Sequence, residues 1–305
     1  MRVIAVVNQK GGCGKTTTAV NLAAAMAEQQ RRVLLVDLDP QGHATLGLGL
    51  DPDLLEHIVY DALARPQVPL SDVLVKTQVD SLYLAPAGIV LAGAEIELSL
   101  VPQRELVLAR QLASVRNQFD ECLIDCAPSF GILTVSALVA STDVIVPVQA
   151  QYYSLEGLRR VLEAVRLVRE RYHAQSAENL SILLTLVDQR TLVGRQIQAQ
   201  MREIFGSRVF QAVVHSDIRL SEAPSAGEPV LLYAPRSRGA KDYRKLAEEI
   251  LGSSGSVQPT RPGKTRRGIQ KDLLALFDGL VPSEGVAENK TEPSPAADDV
   301  LVLTT

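Results

Sequence analysis

Residues 8–18 read Asn8-Gln9-Lys10-Gly11-Gly12-Cys13-Gly14-Lys15-Thr16-Thr17-Thr18; the apolar run Val3-Ile4-Ala5-Val6-Val7 precedes them and a helix-forming stretch, 19–28, follows. A strand, a glycine-rich loop and a helix in that order is the arrangement a phosphate-binding loop requires. Without Cβ atoms at 11, 12 and 14, the backbone can curl about phosphate oxygens with its N–H groups turned inward. The helix behind the loop adds the positive end of its dipole. The predicted phosphate contacts run from Gly11 and Gly12 through Cys13 and Gly14 to Lys15, Thr16 and Thr17. Lys15 faces the β/γ-phosphates and the Thr16 hydroxyl ligates Mg²⁺.

The loop departs from the common G-x-x-x-x-G-K-[ST] pattern. Gln9 stands where the first glycine belongs, and a second lysine, Lys10, precedes the glycine pair.

Two more segments supply carboxylates. In Val33-Leu34-Leu35-Val36-Asp37-Leu38-Asp39-Pro40-Gln41-Gly42, apolar strand residues deliver Asp37 and Asp39 to a strand end. A carboxylate there can hold a metal-bound water or orient an attacking water. In Leu123-Ile124-Asp125-Cys126-Ala127-Pro128, an apolar strand ending in Asp is a Walker B arrangement, in which Asp125 supports Mg²⁺. Either Asp alone could be a turn or helix cap; the P-loop makes the metal reading the stronger one.

The rest of the chain fits that core. Apolar runs at 3–7, 33–36, 82–85, 122–125, 144–148, 182–187 and 209–214 are predicted strands, rich in Val, Ile and Leu as strands buried on both faces should be. Helix-period stretches lie between them at 17–29, 105–117, 155–171, 192–205 and 241–251. The alternation predicts an α/β fold: a mostly parallel sheet with helices on both faces and active residues beyond the carboxyl ends of strands. The chain has 305 residues, ample for a sizeable core, and 46% apolar composition, which excludes a disordered or fibrous class. A net charge of −4 confines any nucleic-acid contact to a local patch. No signal-peptide pattern and no apolar run of about 18 residues appear, so a cytoplasmic location is expected. Three cysteines form no even framework, and Cys122 and Cys126 read as strand packing rather than metal ligands.

Composition shifts near residue 252. Residues 1–251 are expected to form one domain. Residues 252–256 resemble a linker, 259–271 carry five Lys/Arg and no acid, and 269–281 has an apolar helical face before an acidic end.

Lys10-Gly-Gly-x-Gly-Lys-Thr-Thr resembles the deviant Walker A motif of the ParA/MinD ATPases. Residues 36–42 resemble switch I, and 125–131 switch II, of the ParA/Soj branch. The blocks at 147–157, 219–227 (Arg-Leu-Ser-Glu-Ala-Pro-Ser-Ala-Gly) and 233–243 are similar to later Soj blocks. The resemblance covers about 1–251. It implies a Mg²⁺-dependent ATPase that dimerises with ATP, Lys10 reaching the partner's nucleotide, Asp39 assisting hydrolysis and Pro235 lying near adenine. It further implies nonspecific DNA binding through Arg190 and Arg219, nucleoid association, and a ParB-like protein or cargo adaptor that stimulates hydrolysis to segregate chromosome, plasmid or other cargo. The competing readings are a MinD-like positioner that uses the tail as a membrane anchor, and a metabolic or metallocluster ATPase. Ala127 replaces a usual proline and His43 a usual asparagine. His215-Ser216-Asp217 stands where Soj relatives commonly show Pro-Arg-Asn, which removes one basic charge beside Arg219 and weakens any phosphate contact there.

Overall fold

The computed structural model describes residues 1–65, 67–150, 154–172 and 179–253. Seven strands form one sheet: β1 (Arg2–Val6), β2 (Val33–Leu38), β3 (Val75–Lys76), β4 (Leu82–Ala85), β5 (Glu121–Cys126), β6 (Asp143–Gln149) and β7 (Asn179–Thr185), in the order β3-β4-β2-β5-β1-β6-β7. All neighbours pair in parallel except β3 with β4. The central strands are buried on both faces, which explains why they read as continuous apolar runs rather than alternating ones. Cys122 and Cys126 are free thiols inside that core, as is Cys13.

Helix α1 (Lys15–Glu28) follows the glycine loop and is buried along most of its length. Ala23, Ala24 and Ala25 keep it narrow, and the amphipathic helix Arg238–Ser253 packs on it through Tyr243, Leu246 and Ala247. The Tyr243 hydroxyl is fully buried and lies 3.3 Å from Thr18 Oγ1, so this buried polar group has a partner. Helix α2 (His43–Leu46) is a single turn after β2.

One predicted strand is absent. Residues 209–214 run alongside β7 but bridge it only at Val209 with Ile182; Phe210 N–H and Val214 N–H donate to Ile182 O and Leu184 O at 3.0 and 2.9 Å. The N–H groups of Gln211 and Ala212 donate instead to the two carboxylate oxygens of Glu249, at 2.8 Å each. That side chain, on the helix Arg238–Ser253, takes the donors in the middle of the segment, so no continuous ladder forms. The two-residue β3 was not expected; it is too short to show a period. The predicted helix at 105–117 opens as the 3-10 turn Arg104–Leu106 and continues as Val107–Val115. The last helix runs to Ser253, past the expected boundary at 251. The predicted basic stretch at 259–271, the helix at 269–281 and the acidic end lie outside the described residues, as does the linker beyond 253. Among the described residues no helix is long and apolar enough to cross a membrane.

The topology gathers the chemistry. The P-loop, Asp37, Asp125, Gln149 and Thr185 stand at the carboxyl ends of β1, β2, β5, β6 and β7, and Asp39 follows directly on β2.

Candidate nucleotide-binding site

Gly12 and Gly14 adopt φ of +70° and +88°, in the left-handed region that a side chain resists. The loop they shape is held from outside. Asn8 Nδ2 donates to Pro147 O at 2.7 Å, and Asn8 Oδ1 accepts from Lys10 N–H at 3.0 Å. Gln149 Nε2 donates to Gly12 O at 2.6 Å, and Thr185 Oγ1 donates to Cys13 O at 2.8 Å. A trans peptide places its N–H opposite its C=O. The N–H groups of Cys13 and Gly14 therefore point away from Gln149 and Thr185, as an anion-binding nest requires. Lys15 is buried, and its ammonium reaches back over the loop to Lys10 O at 3.4 Å. The backbone thus brings Lys10, Gly11, Gly12, Cys13, Gly14, Lys15, Thr16 and Thr17 together as expected.

The three carboxylates have different environments. Asp37 is fully buried, and its pKa is pushed up to about 6, chiefly by that burial. It is also fully engaged: Oδ1 accepts from Asp39 N–H at 3.1 Å, and Oδ2 accepts from Thr45 N–H at 2.9 Å and Thr45 Oγ1 at 2.8 Å. Thr45 Oγ1 in turn accepts from Ala87 N–H at 2.9 Å. Asp37 therefore builds the turn that carries Asp39 and α2, while Asp39 sits at the top of it with Oδ1 accepting from Gln41 N–H at 3.0 Å.

Asp125 lies in register with Asp37 on the neighbouring strand and with Val6 just below the P-loop. Both of its carboxylate oxygens are buried with no hydrogen-bond partner among the described residues. Burial first, then the Asp37 charge, raises its pKa well above the usual carboxylate range; the Thr16 hydroxyl and Lys15 oppose that rise. A buried carboxylate beside the Thr16 hydroxyl at the foot of the P-loop suits a hard cation. Among the described residues no three His, Cys, Asp or Glu are grouped to hold a metal alone. Mg²⁺ does not need such a group, since it takes one or two protein oxygens together with substrate phosphates and water. Thr16 and Asp125 fit that role.

The expected DNA contacts lie elsewhere, and both are ion-paired. Arg190 is 91% exposed at its side chain and forms a two-bond pair with Asp188, at 2.9 and 3.0 Å; that pairing draws the Asp188 pKa down to about 2. Arg219, in the short helix Ile218–Glu222, pairs with Glu222 at 2.6 Å. Pro235 shares a cavity of about 510 Å³ with Arg219, Ser216 and Asp217, whereas Thr16 and Thr17 line a separate one of about 290 Å³ beside His43 and Pro224.

Asn8, Thr45, Gln149 and Thr185 are site residues that sequence reading missed. Asn8 and Gln149 carried a usable signal, since each is a polar residue that closes an apolar strand run, whereas Thr185 sits inside one. Thr45 carried none, because its partners Asp37 and Ala87 meet it only in the folded chain.

Comparison with known proteins agrees with this geometry. A family model described as an AAA domain matches residues 1–182. The sporulation initiation inhibitor protein Soj of Bacillus subtilis is 47% identical over 252 residues, covering 83% of this chain and 99% of its own. The chromosome partitioning protein ParA of Myxococcus xanthus is 40% identical over 260 residues, 85% of this chain and 91% of its own. Among solved structures, cobyrinic acid a,c-diamide synthase from Mycobacterium smegmatis, with bound ATP analogue and magnesium, aligns with a TM-score of 0.73 and 38% identity, covering 85% of this chain and 99% of that one.

Proposed function

The chain belongs to the ParA/Soj family of P-loop partition ATPases, and from that premise we propose that it is an ATP-switched positioning protein that grips nucleoid DNA as a dimer. Residues 1–251 act as the ATPase domain. The loop N–H groups and Lys15 bind the β/γ-phosphates. Thr16 and Asp125 hold Mg²⁺, which supplies charge neutralisation on the phosphates when bound. Asp39 orients the attacking water, and its position is fixed by Asp37, which accepts from Asp39 N–H and is itself held by Thr45. Lys10, whose N–H is tied to Asn8, acts on the partner subunit's nucleotide. A ParB-like protein or cargo adaptor stimulates hydrolysis and ends the DNA-bound phase.

The observation that carries the ATPase reading is the partnerless, buried Asp125 carboxylate beside Thr16 at the foot of a pinned P-loop. The DNA reading draws on Arg190 and Arg219, and it has a cost: each arginine must leave a neighbouring carboxylate before it meets a phosphate. DNA affinity is therefore modest and salt-sensitive. The test is filter binding of random-sequence duplex with ATP and Mg²⁺ across a salt series. Affinity should fall with a log–log slope of about −0.9 per neutralised phosphate, and Arg219→Ala should shallow that slope by about one unit on every sequence. ATP-independent binding, or an unchanged slope in the variant, refutes the DNA role.

A second reading, amidation of a corrin carboxylate, is favoured by the 38% identity to cobyrinic acid a,c-diamide synthase. It predicts ATP turnover that depends on a corrinoid carboxylic acid together with an amide-nitrogen donor, and that ignores DNA and partner protein.

A further inference from the structure

The helix Leu91–Ser99 turns Leu91, Ala94 and Leu98 inward, where they are buried. Its outward side is apolar as well. Ile89, Ile96 and Leu100 stand seven and four residues apart, the spacing of one helical face, and Ile96 and Leu100 are 74% and 86% exposed. Six of the twelve large apolar side chains exposed among the described residues fall here: Leu54, Ile89, Val90, Ile96, Leu100 and Val101. A helix that is apolar all round is ordinarily covered on both sides, and a concentrated apolar patch marks an interaction surface.

A groove runs beside this stripe. Ile89, Val90 and Gly93 face Pro52, Leu55 and Ile58 across a cavity of about 550 Å³. The charges around it select the partner. Segments 51–61 and 88–99 hold six Asp/Glu and no Lys or Arg. Asp51, Asp53, Glu56 and Glu97 are exposed, with no ion pair among the described residues, while Arg65 in the cavity wall is already held by Asp61 at 2.9 Å. Two copies of this chain meeting here would set like charges against each other, and a nucleic acid or an anionic lipid surface would be repelled. A basic partner gains instead. An apolar helical stripe beside a groove suits a second helix laid along it.

The same face has a line to the nucleotide site. Just ahead of the stripe, Ala87 N–H donates to Thr45 Oγ1 at 2.9 Å, and a Cβ on Gly42 would strike Ala87 O. Farther along, the Glu95 carboxylate lies so close against Gly131 that a Cβ there would collide with it. Gly42 closes the segment that carries Asp37 and Asp39, and Gly131 closes the one that begins at Asp125.

We propose that the helix Leu91–Ser99 and its groove dock a basic amphipathic helix of a protein partner. The proposal deepens the partner-stimulation reading and rests on it for any effect on hydrolysis, but not for the binding itself.

The probe is a fluorescein-labelled helical peptide of leucine and lysine, leucine recurring every third or fourth residue, titrated against the full chain by fluorescence anisotropy at low salt. Its counterpart carries glutamate for lysine. The wild type should bind the lysine peptide and ignore the glutamate one. Ile96→Ser combined with Leu100→Ser, both at exposed positions, should weaken the lysine peptide about tenfold without lowering the unfolding temperature. Asp53→Lys combined with Glu56→Lys should weaken the lysine peptide and admit the glutamate one. Unchanged affinity in the serine variant, or a charge-reversed variant with the wild-type preference, overturns the docking face. So does self-association by sedimentation, or binding to phosphatidylglycerol vesicles, that the wild type shows and the serine variant loses. If the lysine peptide binds as expected yet leaves phosphate release from ATP unchanged, the docking face stands and the stimulation reading fails.

Discussion

Replacing Asp125 by Asn should stabilise the nucleotide-free protein and destroy its Mg²⁺-dependent nucleotide binding. The two effects have one origin. Asp125 is a buried carboxylate opposed only by the nearby Thr16 hydroxyl and Lys15, and it is placed in register with the equally buried Asp37, whose pKa is pushed up to about 6 by burial. Ionising Asp125 in the empty site is unfavourable, since burying an unpaired polar or charged group without compensation costs about 1–3 kcal/mol or more in mutational series. The sign follows from linkage. A carboxyl whose folded pKa is raised binds its proton more tightly folded than unfolded, so wild-type stability is highest in acid and falls as pH rises through the folded pKa. Asp125→Asn cannot ionise and escapes that loss. Urea unfolding without nucleotide should therefore show the variant ahead by about 2 kcal/mol at pH 8, with the gap closing toward pH 5. Titration of ATP with Mg²⁺ at pH 8 should reverse the ranking, because only the wild type gains binding energy from the cation. A variant less stable than wild type at pH 8, or a gap that does not widen with pH, would refute the view that an uncompensated charge at Asp125 awaits a cation.

Other consequences are equally direct. Thr45→Val keeps the shape but leaves Ala87 N–H and one Asp37 oxygen short of a partner; urea unfolding should show a loss of about 2–4 kcal/mol, and steady-state turnover should fall with it. Asp39→Ala should bind ATP and form a long-lived dimer by size-exclusion chromatography, yet release phosphate slowly; normal phosphate release would make Asp39 purely structural. Lys10→Ala should bind ATP as a monomer but fail in ATP-driven dimerisation, and an unchanged dimer would remove its role across subunits. Glu222→Gln unpairs Arg219 in advance and should strengthen DNA binding several-fold at low salt while leaving ATP affinity alone; weaker binding would show that the arginine needs its carboxylate to be positioned.

Much of this architecture was legible in the sequence because parallel strands buried on both faces leave an unbroken apolar trace. β1, β2, β5 and β6 were found within a residue or two of their ends for that reason. The P-loop was legible because glycine placement and the paired lysines are set by chemistry local to eleven residues. What failed depends on distant partners. The segment 209–214 has the composition of a strand, but Glu249, some 38 residues on, takes two of its N–H groups. Asp37 and Asp39 look equivalent as letters two apart. Only the fold separates the braced carboxylate from the presented one, through Thr45 and Ala87. The ion pairs that occupy Arg190 and Arg219 were within reach, since Asp188 and Glu222 stand two and three residues away.

The Glu249 clamp also has a bearing on what this protein does not stick to. An open parallel sheet offers two rows of unpaired peptide groups, each a template for another chain. Here β3 is two residues long and carries Lys76, and the far side of β7 is screened by residues 209–214, whose own donors at 211 and 212 are already taken. Neither margin offers a long, vacant ladder, so addition of a foreign strand gains little. Copies of the chain can then be crowded together without drifting into fibrils.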